Sequence, residues 1–327
     1  MGAAMQERPH GLDKPTVRTV LTEDGVQLSV QAISPDGGGR GIALLCLHGL
    51  FSDGRFFYNG SKKGPAAYFL KEGCQVFIGE LRGHGHNREQ VGSLPRDWCF
   101  DDYVQQDIGC LIEHVYSVHQ GPFYVVAHSF GGYALLASLG HRPELQRCIR
   151  GICLFSSAVN DYSEHGLRKR IFFNLAAALS AVCGYFPARR FGLGVSDAPN
   201  GLIQQFRHWA LRGSFDSRRG DIDYWQSLQF VTVPVWAGVG SGDTFHASVA
   251  RGRKLLQKLG SADKTFVELG LTNGFSKNFG HIDVLRGEAA ATEILPQVLA
   301  WINAHEAAAC TEGAAPAVSM DSGPENQ

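Results

Sequence analysis

Net charge is almost absent from this sequence: 30 Lys and Arg against 31 Asp and Glu leave −1 over 327 residues. Binding to nucleic acid demands a basic face, and the balance supplies no such excess. The eight cysteines (Cys46, Cys74, Cys99, Cys110, Cys148, Cys153, Cys183, Cys310) contain no C-x-x-C pair. That removes zinc-ribbon and thioredoxin-type readings. Cys46 sits inside the apolar run Ile42–Leu47, where a thiol acts as a small hydrophobe, a usage suited to a reducing compartment. Met1 to His10 lack the apolar core of a signal peptide, and Gln6 stands where a myristoylation signal wants Ser or Thr. The longest apolar stretch, Ile171 to Pro187, is broken by Asn174, Ser180 and Gly184 and falls short of a membrane span. These absences point to a cytoplasmic chain with no integral membrane span.

What is present is a core-forming composition, 44% hydrophobic, with 40 glycines for tight turns. Thr16–Leu21 and Val26–Ile33 read as paired edge strands around the Asp24-Gly25 turn signal. Ile42–Leu47, Gln75–Ile78, Phe123–Ala127, Ile149–Phe155, Val233–Ala237 and Thr265–Leu269 are short apolar runs suited to strands buried on both faces. Between them, Asp102–His119 places Val104, Ile108, Leu111, Ile112 and Val115 on one helical face, with Asp101 or Asp102 as N-cap. Strands alternating with helices predict an α/β fold, a doubly wound and mostly parallel sheet flanked by helices. Ligands of such sheets bind at the carboxyl ends of the strands.

The interval from Asp161 to Phe230, about 70 residues, is too long for a structureless loop. It is rich in Ile171, Phe172, Phe173, Leu175, Phe186, Phe191, Trp209 and Trp225. The expected organisation is a core of 16–160 and 231–305, a helical cap over 161–230, and disordered ends at 1–15 and 306–327. The last segment turns to Ala, Ser, Gly, Pro and acidic residues that cannot support a core.

The most informative stretch is Phe123-Tyr124-Val125-Val126-Ala127-His128-Ser129-Phe130-Gly131-Gly132. An apolar strand stops at a serine and a helical segment starts directly after it. A sharp strand-to-helix turn strains the serine backbone, so positions 127 and 131 must be small, and the hydroxyl is left standing above the sheet. The stretch resembles the G-x-S-x-G elbow of the α/β-hydrolase family, in its serine esterase and lipase branch, with Ala127 in place of the first glycine. Serine departs from the haloalkane dehalogenase and epoxide hydrolase branches, which use aspartate.

A serine hydroxyl becomes a useful nucleophile only when a base takes its proton. Of thirteen histidines, His281 follows the last predicted strand and precedes the C-terminal helix, at the sheet edge where Ser129 stands. His128 adjoins the serine, but the strained turn should aim its side chain away from the hydroxyl. The family order Ser, Asp, His implies Asp243, at the end of the turn Gly238-Val239-Gly240-Ser241-Gly242-Asp243, with Asp161 in reserve. The resemblance also implies an oxyanion hole from the backbone N–H groups of Phe130 and of Leu50, the latter in Leu47-His48-Gly49-Leu50-Phe51. Gly79-Glu80-Leu81-Arg82-Gly83-His84-Gly85-His86-Asn87 resembles the family's D-x-R-G-x-G-x-S loop, with Glu80 and Asn87 as departures. A metal pair of His84 and His86 finds no further ligand at suitable spacing, so no metal and no cofactor is expected.

These residues predict hydrolysis of a small apolar or acyl ester through an acyl-enzyme. Thioesterase, amidase and cofactor-free haloperoxidase chemistry stay open on the same fold, as does a non-catalytic binding protein. Arg168, Lys169, Arg170, Arg189 and Arg190 flank the apolar stretch and read as solvated helix ends, or as contacts to a lipid surface. Substrate-binding residues and oligomeric state are not legible.

Overall fold

A computed structural model describes residues 15–60, 64–87, 97–159 and 166–313. The strands are β1 (Thr16–Leu21), β2 (Gln27–Ile33), β3 (Ala43–Leu47), β4 (Gln75–Glu80), β5 (Phe123–His128) and β6 (Ile149–Phe155). They continue with β7 (Tyr185–Phe186), β8 (Ala198–Pro199), β9 (Val235–Gly240) and β10 (Lys264–Leu269). Eight of them form one sheet in the order β1-β2-β4-β3-β5-β6-β9-β10, while β7 and β8 pair separately. Within the large sheet antiparallel pairing is confined to β1–β2 and β2–β4, and the remaining neighbours run parallel. The expected mostly parallel, doubly wound sheet is therefore present. β3, β4 and β5 are buried along nearly their whole length, as strands covered on both faces require.

The helices are α1 (Pro65–Lys71), α2 (Phe100–Asp102), α3 (Ile108–His119), α4 (Phe130–His141), α5 (Gly166–Cys183), α6 (Asn200–Arg212), α7 (Tyr224–Ser227), α8 (Val249–Gln257) and α9 (Leu295–Gly313). Two apolar clusters lie on the two faces of the sheet. One gathers Leu45, Val125 and Ala127 with Leu111, Ile112 and Leu135. The other gathers Leu44, Cys46 and Val126 with Phe69, Val298 and Ile302.

Several boundaries differ from the sequence expectation. The helix expected over 102–119 begins at Phe100, and Asp102 is not its N-cap but sits at the third position, accepting from the Cys99 N–H at 2.6 Å. A π-helical turn over Tyr103–Asp107 then leads into α3. It carries the buried Asp107, which accepts from Arg82 Nε at 2.7 Å and from the Arg82 backbone N–H at 2.8 Å. Arg82 also donates to Asp24 at 2.8 Å, so one buried guanidinium ties the β1–β2 turn to the start of α3. At the other end α9 continues to Gly313, past the expected boundary at 305. Glu306, Ala307, Ala308 and Ala309 are strong helix formers, and Glu306 pairs with Arg150 at 3.2 Å. The expected disorder of 1–15 and 306–327 otherwise falls on residues outside those described.

Strand order reverses at β3: β4 lies to one side of it and β5 to the other. A crevice opens at such a switch point, at the carboxyl ends of the strands. The Leu47-His48-Gly49-Leu50-Phe51 turn leaves β3 there, and Ser129 leaves β5 beside it.

Candidate active site

Ser129 has φ 53 and ψ −118, a left-handed conformation that strains any residue with a Cβ. It is held by its neighbours: its N–H donates to the Phe155 carbonyl at 2.9 Å, and α4 starts at the next residue. The small residues that follow it have a visible cause. A Cβ at Gly131 would lie 2.6 Å from the His48 carbonyl oxygen, and one at Gly132 would run into the Ser157 hydroxyl. The turn after β3 closes in equally, since a Cβ at Gly49 would sit 3.4 Å from Ser129 Cβ. Leu50 and Phe130, the two expected main-chain donors, thus belong to segments in direct contact around the serine.

His281 and Asp243 come from loops after β10 and β9. His281 Nε2 is 3.0 Å from Ser129 Oγ, and His281 Nδ1 is 2.5 Å from Asp243 Oδ2. The three side chains singled out from distant parts of the sequence are brought together. Asp161, the reserve acid, lies outside the described residues. Burial would raise the Asp243 pKa, but the His281 hydrogen bond and charge and the backbone N–H groups of Ala247 and His246 outweigh it. The carboxyl is held below its ordinary range.

The glycines before Asp243 explain how two loops meet. A Cβ at Gly240 would fall 2.1 Å from the Phe279 carbonyl oxygen, and the Gly242 N–H donates to that same oxygen at 2.8 Å. The acid loop is thereby seated on the backbone just before His281.

Two further imidazoles flank His281, and neither is evident from the motifs. His128 does point away from the hydroxyl. Its Nε2 lies 2.8 Å from the His281 carbonyl oxygen, which makes Nε2 the protonated nitrogen and pins the loop. The ring is buried, stacks on Phe56 with centroids 4.5 Å apart, and leaves Nδ1 without a partner among the described residues. Burial and the neighbouring His281 push its pKa down to about 3. On the other side His246, from the acid loop, packs against His281 with centroids 4.5 Å apart and the rings tilted by 35°. The only sequence signal for either was adjacency to a motif residue.

The Gly79–Asn87 loop supports the turn after β3. Glu80 accepts from the Gly54 N–H at 3.2 Å and from the His86 N–H at 2.7 Å. His48 Nδ1 donates to the Gly49 carbonyl at 2.9 Å, while its Nε2 accepts from the Leu81 N–H. Among the described residues no three His, Cys, Asp or Glu side chains are grouped to hold a metal.

The fold agrees with comparison to known proteins. The model of the alpha/beta hydrolase family matches residues 44–270, and the chain belongs to that family. A curated relative, triacylglycerol lipase 1 of Arabidopsis thaliana, is 28% identical over 151 residues, which are 43% of this chain and 38% of the lipase. The chain therefore spans well under half of that relative's length. Among solved structures, DcsB bound to a substrate analogue superposes with TM-score 0.64 at 16% identity, over 90% of this chain and 100% of that one. A thermophilic esterase from Thermogutta terrifontis gives 0.57 at 14% identity, over 89% and 99%. At these identities the structural likeness establishes the fold.

Proposed function

We propose that this chain is a serine hydrolase that cleaves carboxylic esters through an acyl-enzyme. Ser129 is the nucleophile, His281 the base and Asp243 the carboxylate that orients it. The observation that carries the reading is the continuous relay from Asp243 Oδ2 through His281 to Ser129 Oγ, with links of 2.5 and 3.0 Å. An ionised Asp243 accepts a hydrogen bond from Nδ1–H and fixes the tautomer, so Nε2 offers its lone pair to the hydroxyl. As Ser129 Oγ attacks the ester carbonyl carbon, its proton passes to Nε2 and the imidazolium is stabilised by Asp243. Collapse of the tetrahedral intermediate expels the alcohol, which takes the proton from Nε2. Water, deprotonated by the same nitrogen, then releases the acid and frees Ser129.

The developing oxyanion is assigned to the backbone N–H groups of Leu50 and Phe130. Phe130 opens a helix, whose first N–H groups lack intrahelical partners and whose dipole favours negative charge. The insertion of 161–230 is read as a cap. Its described part leans on the turn after β3: the Val195 N–H donates to the Phe51 carbonyl at 2.8 Å, and Phe186 meets Phe51 at 6.1 Å. The similarity to a triacylglycerol lipase favours an acyl ester over a thioester or amide.

Ser129→Ala is expected to lower turnover of a p-nitrophenyl ester by roughly 10⁴–10⁶-fold and to abolish labelling by a fluorophosphonate probe. Unchanged turnover in that variant would overturn the assignment.

A further inference from the structure

Helix α5 is apolar on opposite faces. Phe173, Ala176, Ala177 and Ser180 turn inward, where the helix packs against α6. Leu167, Ile171, Leu175 and Val182 project from the other side at helical spacing, with exposures of 72%, 49%, 66% and 87%. This ridge is roughly 22 Å long at about 1.5 Å rise per residue. A helix apolar all round is normally buried; here half of it faces solvent. Phe191, Leu193 and Val195 of the same insertion are exposed as well. The helix also reaches the site: Phe172 meets the exposed Phe245 at 6.5 Å, Phe245 meets His246, and His246 packs against His281. A contiguous apolar patch of this kind marks an interaction surface.

Charge identifies the occupant. From Gly166 to Ser196 the sequence holds Arg168, Lys169, Arg170, Arg189 and Arg190 and no Asp or Glu. Arg189 pairs with Asp197 at 2.8 Å, whereas Arg168, Arg170 and Arg190 make no ion pair among the described residues. A second copy of the chain would bring the same uncompensated cations face to face. An anionic lipid surface satisfies both features, with apolar side chains entering the acyl boundary and arginines meeting headgroups. No described helix is long and apolar enough to cross a membrane, so α5 would lie along the surface.

We propose that the exposed face of α5 docks this chain on an anionic lipid surface, bringing Ser129 and His281 to esters held in that surface. Delivery of esters rests on the hydrolase reading of Ser129; the docking does not. Co-sedimentation of the full chain with phosphatidylcholine vesicles, with and without phosphatidylserine, tests it. Binding is expected to the phosphatidylserine vesicles and to weaken with salt. Leu175→Glu with Val182→Glu should abolish it, and Arg168→Gln, Arg170→Gln and Arg190→Gln together should weaken it by about 100-fold, near fivefold per charge. Ser129→Ala should bind like the unaltered chain, and the ridge variant should keep its rate on a short soluble ester.

Indifference to both vesicle types, or unchanged binding in both sets of variants, would overturn the docking. A dimer in gel filtration that the ridge variant makes monomeric, without vesicle binding, would assign the face to a second copy instead. Vesicle binding with no hydrolysis of any ester would leave docking standing and remove the hydrolase reading alone.

Discussion

At the scale of single residues, the loop that carries His281 is fixed from below by His128. Its neutral imidazole is both a donor to the His281 carbonyl and a folding liability in acid. The unfolded chain binds a proton at this ring below its ordinary pKa of 6.5, and the folded chain only near 3. A depressed histidine pKa gives stability that is present above the unfolded value and lost as pH falls through the window. The expected slope is about 1.4 kcal/mol per pH unit, read from urea midpoints at a series of pH values. His128→Phe keeps the stack on Phe56 and removes the titration, so its stability should fall less steeply by that amount. An identical slope in both proteins would show that the ring is charged in the fold. Gly240 makes the complementary case without charge. Gly240→Ala places a methyl against the Phe279 carbonyl, so the His281 backbone must shift. Displacement of about 1 Å costs on the order of 100-fold in rate, and a steady-state assay with native far-UV circular dichroism would isolate that loss from misfolding.

Among elements, the strands were legible because continuous apolar runs of strand length leave little else for the chain to do. Their ends were less so, and local chemistry explains each case. β9 starts at Val235 rather than Val233, directly after Pro234, which has no N–H to give a ladder. β4 runs on to Glu80 although Gly79 reads as a turn residue. That glycine is there because Leu111 of α3 approaches to 3.0 Å of where its Cβ would be. Packing between distant elements carries no local signature. The same holds for Asp107, whose π-helical turn exists to meet Arg82 from another loop. Ser129, Asp243 and His281 were readable because each sits beside glycines or a strand end in a known order. The strained turn also told that His128 points away from the hydroxyl, but not its contact with the His281 carbonyl or the place of His246, because ring packing and a backbone contact leave no spacing pattern.

For the whole molecule, the insertion and the core share one set of rings. Phe100, fully buried, meets Phe130 at 5.7 Å and Tyr133 at 5.8 Å on the elbow side. It also meets Trp209 at 5.0 Å and Phe215 at 5.5 Å in the insertion. The insertion keeps a small cluster of its own around Ala176, Ala177, Phe186 and Ile203, but these rings join it to the main core, unlike a separate domain. Thermal unfolding is expected as one event, with tryptophan fluorescence (Trp209 and Trp225 in the insertion) coinciding with circular dichroism. Two separated transitions would show the insertion melting alone. The shared rings also bear on how such a protein can diversify. A graft that replaces 161–230 with a foreign segment removes Trp209 and Phe215 from around Phe100, and Phe206 from around Phe130, the residue after Ser129. New selectivity obtained that way has to be accompanied by compensating changes at Phe100 and Tyr133, positions buried in the core.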